Sequence, residues 1–420
     1  MTTSDTKANE ILLKKWREKR RQLLDVNQSF HATELPLRFY RQQAHFTTPA
    51  SNYDMVKKAV ENGSSATPKI LTKFDIGLTE LADKLEIDES YIQAELDAEP
   101  RAPLVMVDGE DAQALRDDVV ARGRENAIRI FREADWGSTL RFYRPSGLSL
   151  DYCLEDIMSV LTRSGEGLSP EKYPIDGIIW PKVEQPDEIA FVCEMLSDIE
   201  YKMGLEENSI KLQFLVESGW AASQLPLIVK KSVQRLSGIV FGIADYAADI
   251  ELPSIENDHF VCDWARSIII NQAGALGIPA IDNMTVNYPV ADKHLTMLEN
   301  KAMILDRLKE VYDDARHAQQ LGMDGKWVGH PAQLFAVRLA FRGSLPQSEI
   351  DNEVAKIEAY TQAVDAEQGA TIIDGVMSDR ATDRHARWKL RKAIALGLLD
   401  TSKGVNLGII TQEEADSLKG

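Results

Sequence analysis

Two carboxylates, Glu217 and Asp245, have the spacing of a shared cation site. Glu217 closes the β-rich run LQFLVE, and Asp245 stands three residues beyond the run GIVFG. Carboxylates from two successive strand ends can hold Mg²⁺, which takes oxygen ligands and keeps positions for water and substrate. The other reading is structural. Either residue can cap a helix or pair with a cation, and Asp245 stands where the helix begun by YAAD needs a cap. Other reactive types end similar runs. Arg144 ends TLRFYR, Asp108, Glu110 and Asp111 follow LVMV, and Asp282 ends IPAID. An arginine is always charged and offers fixed donors, so Arg144 suits a carboxylate or a developing enolate. A structural ion pair with the acidic VDGEDA segment is its alternative. Arg141 is its rival, and their spacing allows only one of the two to point inward. His330, in GKWVGHPAQ, can act near neutral pH or serve as a hydrogen-bonded structural residue. No Cys or second His lies at zinc-ligand spacing from it, and no P-loop, serine nucleophile elbow or H-E-x-x-H occurs.

These residues converge only if the elements carrying them do. Eight β-rich runs alternate with longer stretches of helical spacing: 44–48, 104–108, 139–144, 177–182, 212–217, 238–242, 278–282 and 325–329. Eight such units predict a parallel sheet closed as a (β/α)₈ barrel, with chemistry at the C-terminal strand ends. A doubly wound open sheet competes, but the count of eight and the lack of G-x-G-x-x-G after any run disfavour it. The expected layout is an N-terminal helical extension over 1–42 and a barrel over 43–344. A helical insertion at 61–101 and a C-terminal helical lid over 345–420, with a turn near Gly375, complete it. The first ten residues read as frayed. Residues 11–24, ILLKKWREKRRQLL, read as a basic amphipathic helix, an arm on the body or on a neighbouring subunit.

Composition narrows the partners. The chain has 420 residues, 44% apolar and 27% charged, with a net charge of −18. That field disfavours nucleic acid and anionic membrane. No apolar run approaches the ~20 residues of a membrane span. The segment MTTSDTKANE lacks a signal-peptide core, and Cys153, Cys193 and Cys262 are few and widely spaced, so reduced thiols and a cytoplasmic setting are expected.

Read in order, the motifs resemble the citrate lyase β-subunit and malyl-CoA lyase group of the HpcH/HpaI aldolase superfamily. VDGEDA at 107–112 is similar to its Asp-Leu-Glu-Asp-Ala, with Gly109 in place of Leu. RPSGLSLDYCLED from Arg144, PKVE at 181–184, FLVES around Glu217 and GIADYAAD around Asp245 follow in the group's order. ARSIIINQAGALGIPAID and GMDGKWVGHPAQ complete a likeness that runs from about residue 43 to about 380. The resemblance implies reversible Claisen-type cleavage of a β-hydroxyacyl-CoA of the malyl-, methylmalyl- or citramalyl-CoA type into an acyl-CoA and a keto acid. It implies Mg²⁺ (or Mn²⁺) on Glu217 and Asp245, an enolate stabilised by Arg144, and Glu110 orienting Arg144. Asp108, Asp111, Lys182, Asp282 and His330 are expected to bind substrate or coenzyme A. DGVMSD at 374–379 resembles Gly-x-Met-Ile-Asp and implies Asp379 as a base in a lid, often lent to an adjacent subunit; a helix cap is its other reading. A homo-oligomer, trimer or hexamer, is implied. An aldolase acting on a free hydroxy-keto acid, or a non-catalytic binding subunit, are the competing functions.

Overall fold

The computed structural model describes residues 12–25, 35–232, 234–342, 345–367, 369–373 and 376–418. The expected fraying of residues 1–10 and the turn at Gly375 lie outside them.

A first helix, α1, spans residues 12–25. After a 3-10 turn at Leu37–Tyr40 come β1 (Ala44–Pro49) and four helices: α2 (Tyr53–Asn62), α3 (Thr67–Lys73), α4 (Leu78–Leu85) and α5 (Glu89–Leu96). Then β2 (Leu104–Asp108), α6 (Asp117–Glu133), β3 (Leu140–Arg144), α7 (Cys153–Gly165), β4 (Gly177–Trp180) and α8 (Pro186–Met203) alternate. The alternation goes on through β5 (Lys211–Val216), α9 (Gly219–Lys230), β6 (Leu236–Phe241), α10 (Ile243–Asp249) and α11 (Phe260–Leu276). It ends with β7 (Ala280–Asp282), α12 (Met297–Leu321), β8 (Gly325–Val328) and α13 (Pro331–Arg342). The tail adds α14 (Gln347–Asp365), β9 (Ala370–Ile373), β10 (Val376–Asp379), α15 (Arg380–Ala395), α16 (Thr401–Asn406) and α17 (Gln412–Ser417).

Strands β1 to β8 form one closed parallel barrel in chain order. This is the expected (β/α)₈ architecture, and each of the eight β-rich runs overlaps a strand. The reason is visible in β2, LVMVD, which is buried at every position. A parallel strand covered by helices on one side and barrel core on the other has no wet face, so it reads as a continuous apolar run. Hydrogen-bonded polar groups also cross the barrel core. Gln213 donates to Gln42 Oε1 at 2.6 Å, and Gln42 donates to the Ser237 carbonyl at 2.9 Å.

The added helices sit on the flank. Glu95 of α5 is buried and pairs with Arg338 and Arg342 of α13, at 2.9 and 3.0 Å. The tail packs at the N-terminal end of the barrel. Trp388 of α15 stacks edge-on against Tyr40, Lys392 pairs with Asp324, and Arg41 donates to the Ala395 carbonyl. Tyr40, Arg41 and Asp324 all precede strands, so α15 covers the end opposite the strand-end residues. The antiparallel hairpin β9–β10 was not foreseen from sequence.

Candidate active site

The C-terminal strand ends bring together Asp108, Arg144 and Glu217, with Asp245 in the first turn of α10. They line a cavity of about 330 Å³ at the barrel mouth, with Asp111 and Thr47. The opposite wall is apolar and comes from Met284, Val286, Tyr288 and Trp327. Sequence reasoning missed that wall. Its signal was positional, since 283–288 directly follows β7 and Trp327 stands on β8.

Asp108 and Arg144 are in-register neighbours on β2 and β3. Arg144 Nε donates to Asp108 Oδ1 at 2.7 Å and Nη2 donates to Oδ2 at 2.6 Å. Both residues are buried. Asp108 also accepts from the backbone N–H groups of Glu110 and Ala112. Its oxygens are therefore committed to holding Arg144 and the loop, and the expected ligand contact by Asp108 gives way to that role. Glu110, expected to orient Arg144, stands 3.4 Å from Nη1, so the fork belongs to Asp108. Arg144 keeps its charge, because Asp108 and Glu110 outweigh the desolvation that burial imposes. Its guanidinium lies 5.2 Å from the Trp327 ring centroid. Arg141 turns away and grips Asp176, which leaves Arg144 as the inward arginine. Gly109 has a local reason. A Cβ there would lie 2.7 Å from Tyr143 Oη and 3.0 Å from the Arg144 carbonyl, too close for the leucine of the resembled motif.

Lys182 joins the carboxylates. Its backbone N–H donates to Glu217 Oε2 at 3.0 Å. Its ammonium donates to Glu110 Oε1 at 2.9 Å and to Asp111 Oδ2 at 2.8 Å, and lies 3.8 Å from Asp245 Oδ1. The residue adopts φ +48°, a left-handed conformation that costs a non-glycine residue energy. That turn aims its N–H at Glu217 while the side chain reaches the other acids. Burial tends to raise the Asp111 carboxyl, but hydrogen bonding to Lys182 and the Arg144 charge hold it below its ordinary value. Burial pushes Glu110 up to about 7, against the opposing charge of Arg144.

Glu217 is 5% exposed. Burial pushes its carboxyl up to about 8; Arg144 opposes this, while Asp245 and Glu110 add to it. Gly242 makes the room, because a Cβ there would lie 2.4 Å from Glu217 Cγ. No ion pair to Glu217 forms among the described residues. It is a buried acid facing other acids, and the nearby Arg144 charge does not offset its burial. Such a group fits a divalent cation with hard oxygen ligands. No group of three or more His, Cys, Asp or Glu residues gathers in a metal-holding arrangement among the described residues. The donor set is two carboxylates, which suits Mg²⁺ with water and substrate oxygens completing its shell.

Three expected residues fall elsewhere. Asp282 is fully buried between Arg266 and Lys326, at 2.7 and 2.8 Å, and both partners are themselves buried. It is a core ion triad and does not face a ligand. His330 lines an adjoining cavity of about 410 Å³ with Lys58, Lys69 and Thr48. Its Nδ1 accepts from the Ala332 N–H, and burial lowers its pKa to about 4, so the ring is neutral. Thr47 belongs to both cavities, and the hydroxyls of Thr47 and Thr48 are buried without partners among the described residues. Asp379 is the N-cap of α15, accepting from the N–H groups of Ala381 and Thr382. It does not line the mouth of its own barrel.

A closed parallel barrel with acids and an arginine at its C-terminal mouth defines a (β/α)₈ protein with an enzyme-like site. A family described as "Domain of unknown function (DUF6986)" matches residues 149–419, and the chain belongs to that family. It is 28% identical over 225 residues to an L-malyl-CoA/β-methylmalyl-CoA lyase of Haloarcula marismortui, a match covering 53% of this chain and 61% of that protein. It is 25% identical over 300 residues to the citrate lyase subunit beta of Leuconostoc mesenteroides subsp. cremoris, covering 71% of this chain and 88% of that one. Among solved structures, CitE from Mycobacterium tuberculosis, in complex with magnesium, acetoacetate and coenzyme A, shares the fold with a TM-score of 0.50. The likeness is 19% identical in sequence and covers 84% of this chain and 99% of that one. The expected kinship with malyl-CoA lyases and citrate lyase β-subunits therefore holds. No helix among the described residues is long and apolar enough to cross a membrane.

Proposed function

We propose that this protein is a divalent-metal-dependent carbon–carbon lyase that reversibly cleaves a β-hydroxyacyl-CoA into an acyl-CoA and a small keto acid. The observation that carries this reading is Glu217, a buried carboxylate beside Asp245 whose surroundings call for a cation. Glu217 and Asp245 would hold Mg²⁺. Bound there, the ion supplies a Lewis acid and a template for the keto-acid carboxylate and its neighbouring oxygen.

The remaining roles belong to this chain's own groups. A base takes the proton of the substrate hydroxyl as the carbon–carbon bond breaks. The hydroxyl carbon becomes the keto-acid carbonyl, and the bonding pair passes to the acyl-CoA as an enolate. Arg144 meets that oxygen with Nη1, which lies outside the Asp108 fork and is approached by Glu110 at 3.4 Å. Lys182 keeps Glu110 and Asp111 in place. The base is Asp379, brought from the tail of a neighbouring copy, since α15 lies at the far end of its own barrel. The proton then returns to the enolate carbon. The adjoining cavity takes the coenzyme arm. Thr47 links it to the mouth, and Lys58 and Lys69 face the phosphates.

The test is a panel of malyl-, β-methylmalyl- and citramalyl-CoA, with free hydroxy-keto acids beside them, analysed by mass spectrometry. Cleavage of a thioester supports the reading. Cleavage of free acids alone replaces it with an aldolase, and no cleavage with Mg²⁺ present points to a binding subunit.

A further inference from the structure

Two elements outside the eight β/α units carry opposite charge. Helix α1 holds Lys14, Lys15, Arg17, Lys19, Arg20 and Arg21 against two acids, Glu18 and Asp25, in a chain of net charge −18. All of its residues are exposed. Leu12, Leu13, Trp16, Leu23 and Leu24 remain 39–65% exposed. At the helical period they share an arc of about 120°, interrupted by Arg20, and this stripe is left bare by the other described residues. Such a stripe beside a basic face is built to be covered.

The complementary surface lies in the segment between β1 and β2. Residues 75–99 hold nine acids and one base, Lys84. Glu80, Glu86 and Glu95 are used within the chain, by Lys301, by Lys309 at 3.8 Å, and by Arg338 and Arg342. Asp83 and Glu89 are exposed and form no ion pair among the described residues. Tyr91, on the same helix as Glu89, is 53% exposed and offers an apolar contact. Among the described residues this face and α1 are both exposed, and no ion pair between them is formed. A polyanion is a poor match for α1, because the acidic body repels it.

We propose that α1 is an arm that docks on the acidic face formed by α4 and α5 of a second copy of this chain. Its basic side meets Asp83 and Glu89 and competes with Lys309 for Glu86, and its apolar stripe covers Tyr91. The contact is steered by opposite charge and weakens with salt.

The test mixes full-length protein labelled with ¹⁴N and with ¹⁵N at high salt and returns it to low salt. Carbodiimide cross-linking with mass spectrometry then follows. Mixed-isotope cross-links between residues 14–21 and 83–89 are expected. They should fall at least tenfold in Lys14→Glu/Arg17→Glu/Arg21→Glu, and equally in Asp83→Lys/Glu86→Lys/Glu89→Lys. Mixing the two variants should restore a joint between the reversed charges, seen as a shared oligomer by light scattering. Circular dichroism checks that both variants remain folded. Cross-links confined to single-isotope pairs would show docking within one chain and overturn the proposal. So would absence of these cross-links, insensitivity to both variants, or capture of α1 by anionic vesicles with no mixed-isotope product.

Discussion

Asp108 grips Arg144 through two hydrogen bonds of 2.7 and 2.6 Å between adjacent strands, and leaves only Nη1 outside its fork, 3.4 Å from Glu110. Asp108→Ala removes one partner of a buried pair and strands the other charge, at a cost of about 3–5 kcal/mol. The thermal midpoint should fall by several degrees. Arg144 would also lose its aim, so kcat should drop by on the order of 100-fold while KM moves little. Calorimetry and steady-state kinetics on the cleaved thioester check both. An unchanged midpoint would contradict the pairing.

Glu217 predicts a pH-dependent affinity for Mg²⁺. Its carboxyl titrates at about 8 in the folded metal-free chain, raised first by burial. A raised carboxyl pKa means that folding favours the protonated form. That contribution to stability is fully present below the unfolded value near 4.5 and is lost as pH rises through about 8. Mg²⁺ must displace the proton, so affinity should weaken about tenfold per pH unit below that value and level off above it. Calorimetric titration at pH 6.5, 7.5 and 8.5 should show this trend, with the proton released into buffer. Glu217→Gln should remove it.

Lys182 predicts a difference between two small replacements. Its φ of +48° suits glycine and strains alanine. Both Lys182→Gly and Lys182→Ala lose the ammonium that holds Glu110 and Asp111. Only alanine keeps the strained backbone, so Lys182→Gly should be the more stable by about 1 kcal/mol in urea denaturation. Equal stability would mean that the left-handed turn is not retained.

Asp282 belongs to the core and should behave accordingly. Lys326→Ala leaves Asp282 with Arg266 alone in a dry interior. A stability loss of about 3–5 kcal/mol is expected. The Mg²⁺ titration curve of the folded fraction should stay unchanged, which separates a core role from a ligand contact.

The barrel was legible in sequence because buried parallel strands leave continuous apolar runs: LVMVD coincides with β2, and the run at 177–182 contains all of β4. The mouth acids were legible because strand-end position sorts them. Partner choice was not. Asp108, Glu110 and Asp111 lie within four residues, and only the register of β2 against β3 shows that Asp108 takes Arg144. Asp282 ends a strand like the others, yet Lys326 and Arg266 reach it from β8 and α11, a contact with no local sequence signal. The tail was read as a lid, often lent to an adjacent subunit; its docking at the opposite end of its own barrel depends on Trp388 meeting Tyr40, which are 348 residues apart.

The most direct test of the metal site is the Mg²⁺ dependence of β-hydroxyacyl-CoA cleavage by EDTA-stripped protein, compared with Glu217→Gln and Asp245→Asn. Keto-acid release should be absent in the stripped protein, return with added Mg²⁺ in saturable fashion, and stay at least about 100-fold lower in both variants at saturating metal. Full cleavage without Mg²⁺, or wild-type rates in either variant, would contradict a cation held by Glu217 and Asp245.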